Sequence, residues 1–569
     1  MAQSTAQNTT LTLERMTYGP SALAHDKDGK TVFVLGGVAG DTVEAQITSQ
    51  HKSYSNAQVV NIVERGPHHI KPACSEVELL SGCPWANVDY AYQLIAKQGH
   101  ITNALMRIAH FDPSRIETLV APCQQASDPW RYRNKLELTA EKTCGRVQIG
   151  VRNSATNQLM ALKRTELLPS PLASLPKAVA GALGYLSNSR DLSLLRVGIR
   201  ASKRTKELEL ALWCEPEAFP RSQVAHVLND AIQGQAKLTS IVRVLIKGPQ
   251  KARKTVGVER LFGKGSWSEQ LLYNMPATPQ ADVNANLNAH AGSSVTTNGT
   301  RMTFSAPSFF QVNTKGAEKL VELVMEFLQP TSNDIAMDLY SGAGTFTLPL
   351  ARRCKQVYAV ESYGSSVRDL RRNLDACGLH NVQITGGDAG REFPDTRANI
   401  IVVDPPRSGL APNVIDQLCE QPARSIAYVS CDPATLARDL ARFEERDIYK
   451  VQRIVPVDLF PQTFHVETVA LLSHQKLTEY VQIPYEPEDK TAHAFRDATY
   501  KEIKDWIKKV FDMKVSSLYI AQIKDECGLE KRQNYNKSKK ENAKVPTCPK
   551  EKRKAILAAL RHFQMIDNE

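Results

Sequence analysis

No stretch of this chain is apolar for long enough to cross a membrane, and Met1-Ala2-Gln3-Ser4 opens a polar segment without a signal-peptide core. The 11 cysteines show no pairing rhythm, which argues against a disulfide scaffold and for reduced thiols in a cytoplasm. Cys74 and Cys83 stand near each other, but no third cysteine lies within their spacing and none falls between Cys144 and Cys214. An iron–sulfur cluster normally takes four thiolates, so four-cysteine ligation is not expected. Negative charge is also short: 60 Asp and Glu face 71 Lys and Arg, a net charge of +11. A polyanionic partner is the simplest inference, although charge alone does not separate nucleic acid from an acidic surface.

With 569 residues the chain is too long for one core, and length suggests three or four domains. Residues 9 to about 65 alternate polar and apolar in short runs, such as Thr31-Val32-Phe33-Val34, separated by Gly36-Gly37 and Gly40-Asp41. That is the pattern of a small antiparallel β-barrel with glycine turns. Lys52, Tyr54 and Asn56 fit either an RNA contact or a solvated loop. The segment resembles a TRAM domain, an OB-like RNA-binding barrel. A helical run follows Asp89-Tyr90 through Met106. From Trp130 to about residue 275 the strands are basic, Leu195–Arg200 and Ile241–Lys247 being the clearest. They predict an α+β domain with one wet face, either positive and RNA-facing or simply solvated. Residues 278–299, rich in Ala, Asn, Ser, Thr and Gly, read as an exposed loop.

The region after Phe309-Phe310-Gln311-Val312-Asn313 has the logic of a doubly wound sheet. Leu320, Val321, Val324, Phe327 and Leu328 share one helix face. The strand Ile335–Tyr340 runs into Ser341-Gly342-Ala343-Gly344-Thr345, and a second strand ends at Glu361, 23 residues beyond Asp338. Glycines let the loop approach a nucleotide, and an acid closing the second strand bonds ribose hydroxyls. The dinucleotide fingerprint lacks its third glycine, position 347 being Thr, which leaves S-adenosylmethionine as the ligand these elements suit. Asp388, ending a third strand, is placed to reach an adenine amino group. Strand four, Ile400–Val403, ends in Asp404-Pro405-Pro406-Arg407. The two prolines fix the backbone and point Asp404 at the ligand crevice. Amino-directed adenine methyltransferases, which this motif resembles, carry an aromatic where Arg407 stands, so different chemistry is expected.

Strand five runs from Arg424 to Val429 and delivers Ser430-Cys431-Asp432-Pro433. Asp432 suits an N-cap and Pro433 a first helical position, which puts Cys431 at a helix N-terminus whose dipole favours a thiolate. The alternative is a buried cysteine packed as a small hydrophobe. The apolar run Phe464–Leu472 is broken by Glu467, either an exposed edge residue or a crevice-facing base with a raised pKa. Beyond about 476, helices are expected over Glu502–Phe511, Ser517–Cys527 and Pro549–Phe563. Ten Lys or Arg against three Glu between Glu530 and Lys554 suggest a module that binds RNA phosphates.

Five motifs occur in the order of one family: Phe310-Gln311-Val312-Asn313, Asp338-Leu339-Tyr340-Ser341-Gly342, Asp404-Pro405-Pro406-Arg407, Ser430-Cys431-Asp432-Pro433 and His465-Val466-Glu467-Thr468. Over residues 9–473 the chain resembles the RNA (uracil-5-)-methyltransferases, most closely the bacterial TRAM-containing branch that modifies 23S ribosomal RNA. The resemblance implies Cys431 as nucleophile, Glu467 as general base, and Gln311, Tyr340, Glu361 and Asp404 lining the pocket for S-adenosylmethionine and the target. Uracil C5 becomes nucleophilic once a thiolate adds at C6, so the chemistry needs this cysteine, a methyl donor and a base. The branch often carries four cluster-binding cysteines; here two of those positions fall on Leu80 and near Thr165, so no iron–sulfur cluster is expected.

The expected fold is α/β, a Rossmann-like methyltransferase domain (301–475) preceded by an OB-like TRAM barrel (1–66) and a central α+β domain (67–300). A basic helical extension (476–569) follows. The expected partner is RNA, 23S rRNA first, with no membrane and a monomeric chain. Two alternatives stand: a transfer-RNA T-loop uridine-C5 enzyme, and a catalytically retired RNA-binding protein. A cytosine-C5 enzyme would place a cysteine directly after the strand-four proline or in a Thr-Cys pair, and neither is present.

Overall fold

The computed structural model describes residues 8–143, 146–249, 252–275, 296–475, 499–527, 529, 548–563 and 565–566. They fall in two compact units, within Met1–Thr478 and Glu479–Glu569. The polar opening segment, most of the loop expected over 278–299 and much of the charge-rich run after Glu530 lie outside the described residues. Residues 296–299 belong instead to a strand, Thr296–Phe304, paired with Trp267–Met275. Among the described residues no helix is long and apolar enough to cross a membrane.

The N-terminal sheet has six strands in the order Asn8–Thr12, Thr42–Gln50, Tyr54–Glu64, Thr31–Leu35, Ser21–His25, Arg15–Met16. Its first and last strands are joined in sequence by only Leu13 and Glu14. Leu13 N–H donates to Asp41 at one side while Glu14 N–H donates to Leu23 at the other, both 2.8 Å. The sheet therefore curls until its ends meet. Val32, Val34, Val43 and Ala45 fill the inside, as the alternating pattern requires, and Trp85 plugs it from the following segment. Lys52 lies in the exposed turn between two strands, with Tyr54 stacked on His51 at 4.4 Å.

A seven-stranded sheet occupies the middle of the chain. It is antiparallel except between Leu208–Cys214 and Ser240–Lys247, and the helices Leu175–Ser187 and Arg221–Ile232 pack into its core. The expected wet positive face is not what forms. Arg200 is buried and donates to the carbonyls of Ser305, Ala306 and Ser308 at 2.6–2.9 Å. Arg243 is buried too, donating to Glu215 and Glu217 carbonyls and pairing with Glu259, while Arg196 lies over the Trp213 ring at 4.1 Å. Arg200 lies on the face of Ala211 and Trp213, where residues 305–308 cover it, whereas Arg243 stands beside Leu212 on the helix-packed face, where the carbonyls of residues 215 and 217 accept from it.

The third major sheet has eight strands: Val382–Gly386, Gln356–Glu361, Ile335–Leu339, Ile400–Val403, Ser425–Ser430, Glu467–His474, Tyr449–Asp458 and Gln124–Gln125. The first five run parallel, and Glu467–His474 inserts antiparallel between its neighbours. Chain order reverses between Ile335–Leu339 and Ile400–Val403, which opens the crevice where such sheets take ligands. Ile400–Val403 is buried throughout, as a central parallel strand must be.

The sequence boundary at residue 300 does not coincide with a boundary between cores. Ile101, Leu105, Ile116 and Leu119 pack with Ile401, Ile426 and Leu440 on one face of this sheet. Trp267, Tyr273 and Phe304 join Leu320, Val324 and Phe327 on the other. The helix Tyr90–Arg107 is tied down by a buried ion pair, Lys97 to Asp458, to which Tyr90 also donates at 2.8 Å. Periodicity finds such elements but does not say which sheet they cover.

The C-terminal unit contains the helices Tyr500–Phe511, Ser517–Glu526 and Lys550–His562, close to expectation. Thr499 and Glu502 form a capping box at the first, and Ile503, Ile507, Ile520, Ile523, Ile556 and Leu560 make a small core.

Candidate active site

Cys431 stands directly after the strand Ser425–Ser430 and before the helix Pro433–Glu445. Asp432 is the N-cap: its carboxylate accepts from Ala434 N–H at 3.0 Å and Thr435 N–H at 2.9 Å, and Pro433 takes the first helical position. This corrects one expectation. The helix gives these N–H groups to Asp432 instead of to sulfur, and the half-buried Cys431 thiol is pushed up to about 12. Burial is the largest cause, followed by the carboxylates of Glu467 and Asp404, with Arg407 working the other way.

Glu467 opens the antiparallel strand and is buried, not at an exposed edge. Burial and Asp404 hold its carboxyl well above the usual range, and Arg407 opposes them. Asp404 follows the buried strand Ile400–Val403, and burial raises it to about 7. Cys431, Glu467 and Asp404 thus form one charged cluster beside the crevice, with Arg407 as the cation that opposes the acids at Cys431 and Glu467.

The nucleotide side of the crevice adjoins this cluster through Asp338. That residue is fully buried, accepts from Thr347 Oγ1 at 2.5 Å, and is raised to about 7 by burial together with Asp404 and Glu361. Its other carboxylate oxygen has no partner among the described residues. Thr347, where a third glycine was missing, is therefore the donor to this acid. Glu361 ends its strand, accepting from Gly342 N–H at 2.8 Å and Tyr363 N–H at 2.6 Å, which leaves each oxygen a second lone pair. Tyr340 is half-buried in the left-handed region at φ 67°, its hydroxyl raised to about 12 by burial, then by Asp388 and Asp439. Gly342 has φ 56°, and a Cβ there would meet nothing within 4 Å, so the loop borders open space. Asp388 lies two residues past its strand and is exposed. Gln311 is buried; among the described residues its hydrogen bond is a main-chain one, accepting from Asn134 Nδ2 at 2.9 Å. No ion pair or hydrogen bond links Gln311 to Cys431 among the described residues.

Three neighbours of Cys431 escaped the sequence reading as site residues. Arg407 was visible in its motif but noted there only as a missing aromatic. Among the described residues His465 Nδ1 has no hydrogen-bond partner, and burial, then Arg407, Lys97 and Arg133, push its imidazole down to about 4, so the neutral ring is favoured. Tyr18 comes from the N-terminal sheet. Its hydroxyl donates to the Cys431 carbonyl at 3.2 Å, and its ring meets Phe464 at 5.6 Å and His465 at 6.3 Å. Burial, then the charges of Asp432 and Cys431, raise its phenol.

A family model described as tRNA (Uracil-5-)-methyltransferase matches residues 290–475. An uncharacterized RNA methyltransferase of Gloeobacter violaceus is 30% identical over 476 residues, 82% of this chain and 96% of that protein. The chain belongs to the RNA (uracil-5-)-methyltransferase family. A second relative, an uncharacterized RNA methyltransferase of Thermosynechococcus vestitus, is 29% identical over 464 residues, covering 79% of this chain and 96% of its own length. The solved structure of Pyrococcus abyssi tRNA (uracil-54, C5)-methyltransferase in complex with S-adenosyl-L-homocysteine aligns with a TM-score of 0.58 at 20% identity. It covers 82% of this chain and 100% of that one, so the two share a fold.

In this RNA methyltransferase the expected ligand positions of an iron–sulfur site are otherwise occupied. Thr165 is buried and donates to Glu78 at 2.7 Å, and Leu80 is partly exposed. The Cys83 thiol, raised by its hydrogen bond to Cys74 and by burial, packs with Tyr132 and Leu167. Among the described residues no group of three or more His, Cys, Asp or Glu is placed to hold a metal ion.

Proposed function

We propose that this enzyme methylates C5 of a uridine in RNA through a transient bond between Cys431 sulfur and uracil C6. The observation that carries the reading is the meeting of Cys431, Glu467 and Asp404 around Arg407. The thiol must lose a proton to attack, and Arg407 is the neighbour that favours the thiolate. Sulfur addition at C6 places the electron pair of the broken double bond on C5 and O4. S-adenosylmethionine, when bound, supplies an electrophilic methyl group. Glu467 then takes the C5 proton, the C5–C6 double bond re-forms and sulfur leaves. Glu467 must be ionised to take that proton, and burial and Asp404, which push its carboxyl upward, make the carboxylate the stronger base. Asp404 can bond the uracil edge.

The residues present fit the methyl donor. Open space over Gly342, spare acceptor capacity on Glu361 and the unpartnered oxygen of Asp338 suit a ligand with an amine and ribose hydroxyls. Tyr340, Gln311 and Asp388 would complete the pocket. The curled N-terminal sheet supports the TRAM reading and with it 23S rRNA as the target. Taking a base out of its stack costs a few kcal/mol, which favours an unpaired uridine. The basic C-terminal unit would add phosphate contacts. Mapping 5-methyluridine in rRNA and tRNA from cells with and without the gene decides the target.

The mechanism is tested by two variants and a denaturing gel with labelled methyl donor. Cys431→Ala should bind RNA and form neither product nor adduct. Glu467→Gln should attack and methylate, then stall with label, protein and RNA migrating together. An active Cys431→Ala, or a Glu467→Gln that turns over normally, would overturn these roles.

A further inference from the structure

Away from Cys431, an open cleft with a cavity of about 100 Å³ lies between the middle sheet and the helix Thr314–Leu328. Five cations line it, Arg131, Arg133, Lys203, Arg204 and Lys315, of which Arg131 pairs with Glu166 and Arg204 with Glu318. Among the described residues Lys203 has no carboxylate partner; its amino group donates to the Arg131 carbonyl at 3.0 Å. Burial, then Lys315, push that amino group downward, with Arg131 adding to them and Asp128 opposing. Lys315 is 3.8 Å from Asp128, a carboxylate that is 83% exposed. Glu269 also lines the cleft, but it is buried and accepts from Ser202, Thr314 and the Gln270 N–H. With Glu166 on Arg131, Glu318 on Arg204 and Asp128 near Lys315, the positive excess of the cleft rests on Lys203 and the partly buried Arg133.

Two further features give the cleft a shape for more than a point charge. Thr314 and Lys315 begin a helix of 15 residues whose Gly316 N–H is capped by Asn313 at 3.1 Å, and the first turn carries the positive end of the dipole. Trp130 lines the opposite wall, half-buried. Arg131 beside it is held in the left-handed region at φ 58°, its N–H donating to Glu166 at 2.9 Å, a conformation that costs a non-glycine residue energy.

The wall of this cleft is also tied to the active site. Tyr132 donates to the Pro461 carbonyl at 3.1 Å, Gln462 donates to Pro129 at 3.5 Å, and Asn134 donates to Gln311 at 2.9 Å. The segment 460–465 leads directly into Glu467.

We propose that this cleft binds a nucleotide flanking the target uridine, its phosphodiester on Lys203, Lys315 and the helix start, its base against Trp130. The inference rests on RNA as substrate and not on the roles of Cys431 and Glu467. Base–aromatic stacking tolerates any base, so the cleft would set the path of the strand more than its sequence.

The test uses the full chain and fluorescein-labelled oligouridylate of about 12 nucleotides, within the span one such binding module covers. The double variant Lys203→Gln/Lys315→Gln should bind at least tenfold more weakly at low salt. Its log–log salt slope should fall by about 1.4, two contacts at about 0.7 each for a single strand. RNA should quench part of the tryptophan fluorescence of the parent protein, and Trp130→Phe should remove that part. An unchanged slope in the double variant, with an unaltered melting temperature, overturns the phosphate site. A quench that survives Trp130→Phe overturns the base site. If the parent protein does not bind oligouridylate, RNA as ligand fails and the proposal falls with it. A missing Cys431 adduct beside an intact salt-slope effect would sink only the covalent mechanism.

Discussion

The hydroxyl of Tyr18 donates to the backbone carbonyl of Cys431 across 413 positions of chain, at 3.2 Å. The N-terminal sheet thereby touches the nucleophile's own peptide unit. Removing the hydroxyl should loosen the loop that aims the sulfur while leaving RNA binding intact. Tyr18→Phe should slow single-turnover methyl transfer three- to tenfold, the equivalent of about 0.5–1.5 kcal/mol for one hydrogen bond. Its dissociation constant for RNA should change less than about twofold. A loss of affinity with an unchanged rate would mark Tyr18 as an RNA contact only.

A thiol pushed up to about 12 reacts slowly near neutral pH, because the thiolate is the reactive form. The Glu467 carboxylate beside it raises that value, so Glu467→Gln should bring the alkylation profile of Cys431 down in pH. At pH 8 iodoacetamide should modify Cys431 faster in that variant than in the parent protein. Arg407→Ala should act the opposite way and slow it. Peptide mass spectrometry against time reads both, and parallel rates in all three proteins would refute the electrostatic coupling.

Buried Asp338 carries a stability signature. Its folded pKa, raised from 3.8 to about 7, means that folding favours the protonated form. Its contribution is therefore fully present below about pH 4 and is lost as pH rises through 7. Asp338→Asn should match the parent protein at pH 4 and exceed it at pH 8, with about 4 kcal/mol as the ceiling. Asp404 shifts in the same direction, so part of the pH dependence should persist. Urea unfolding at the two pH values checks this.

With a hydroxyl at Thr165 that donates to Glu78, and Cys74 and Cys83 as the free thiols of this region, protein purified without oxygen should carry no stoichiometric iron or acid-labile sulfide. Both are measured by colorimetric assay. Iron and sulfide near four atoms each per chain would show a cluster in spite of those residues.

Local chemistry was legible in the sequence. The Asp432 cap, the Pro433 start, the buried strand before Asp404 and the helix carrying Leu320, Val324 and Phe327 follow from residue types at fixed spacing. What depends on distant segments meeting was not legible. The helix N-terminus was expected to favour a Cys431 thiolate, yet burial, and then Glu467 and Asp404 arriving from other strands, reverse the sign. Arg200 and Arg243 looked solvated because alternation cannot reveal that residues 305–308 and 215–217 fold over them. Tyr18 had no signal at all, since nothing near it in sequence resembles a catalytic motif.

The edge strand Gln124–Gln125 pairs with Val457 and Asp458, and Lys97 is buried against the same Asp458. On a ribosome these partners appear far apart in time. At 5–20 residues per second, roughly 20–70 s separates the emergence of residue 125 from that of residue 458. Until then the helix Tyr90–Arg107 has an apolar face with no sheet to cover it and a lysine with no counter-ion. A nascent chain arrested anywhere before Asp458 would offer that face to chaperones, and the methyltransferase sheet would be completed last by its interior strand Glu467–His474.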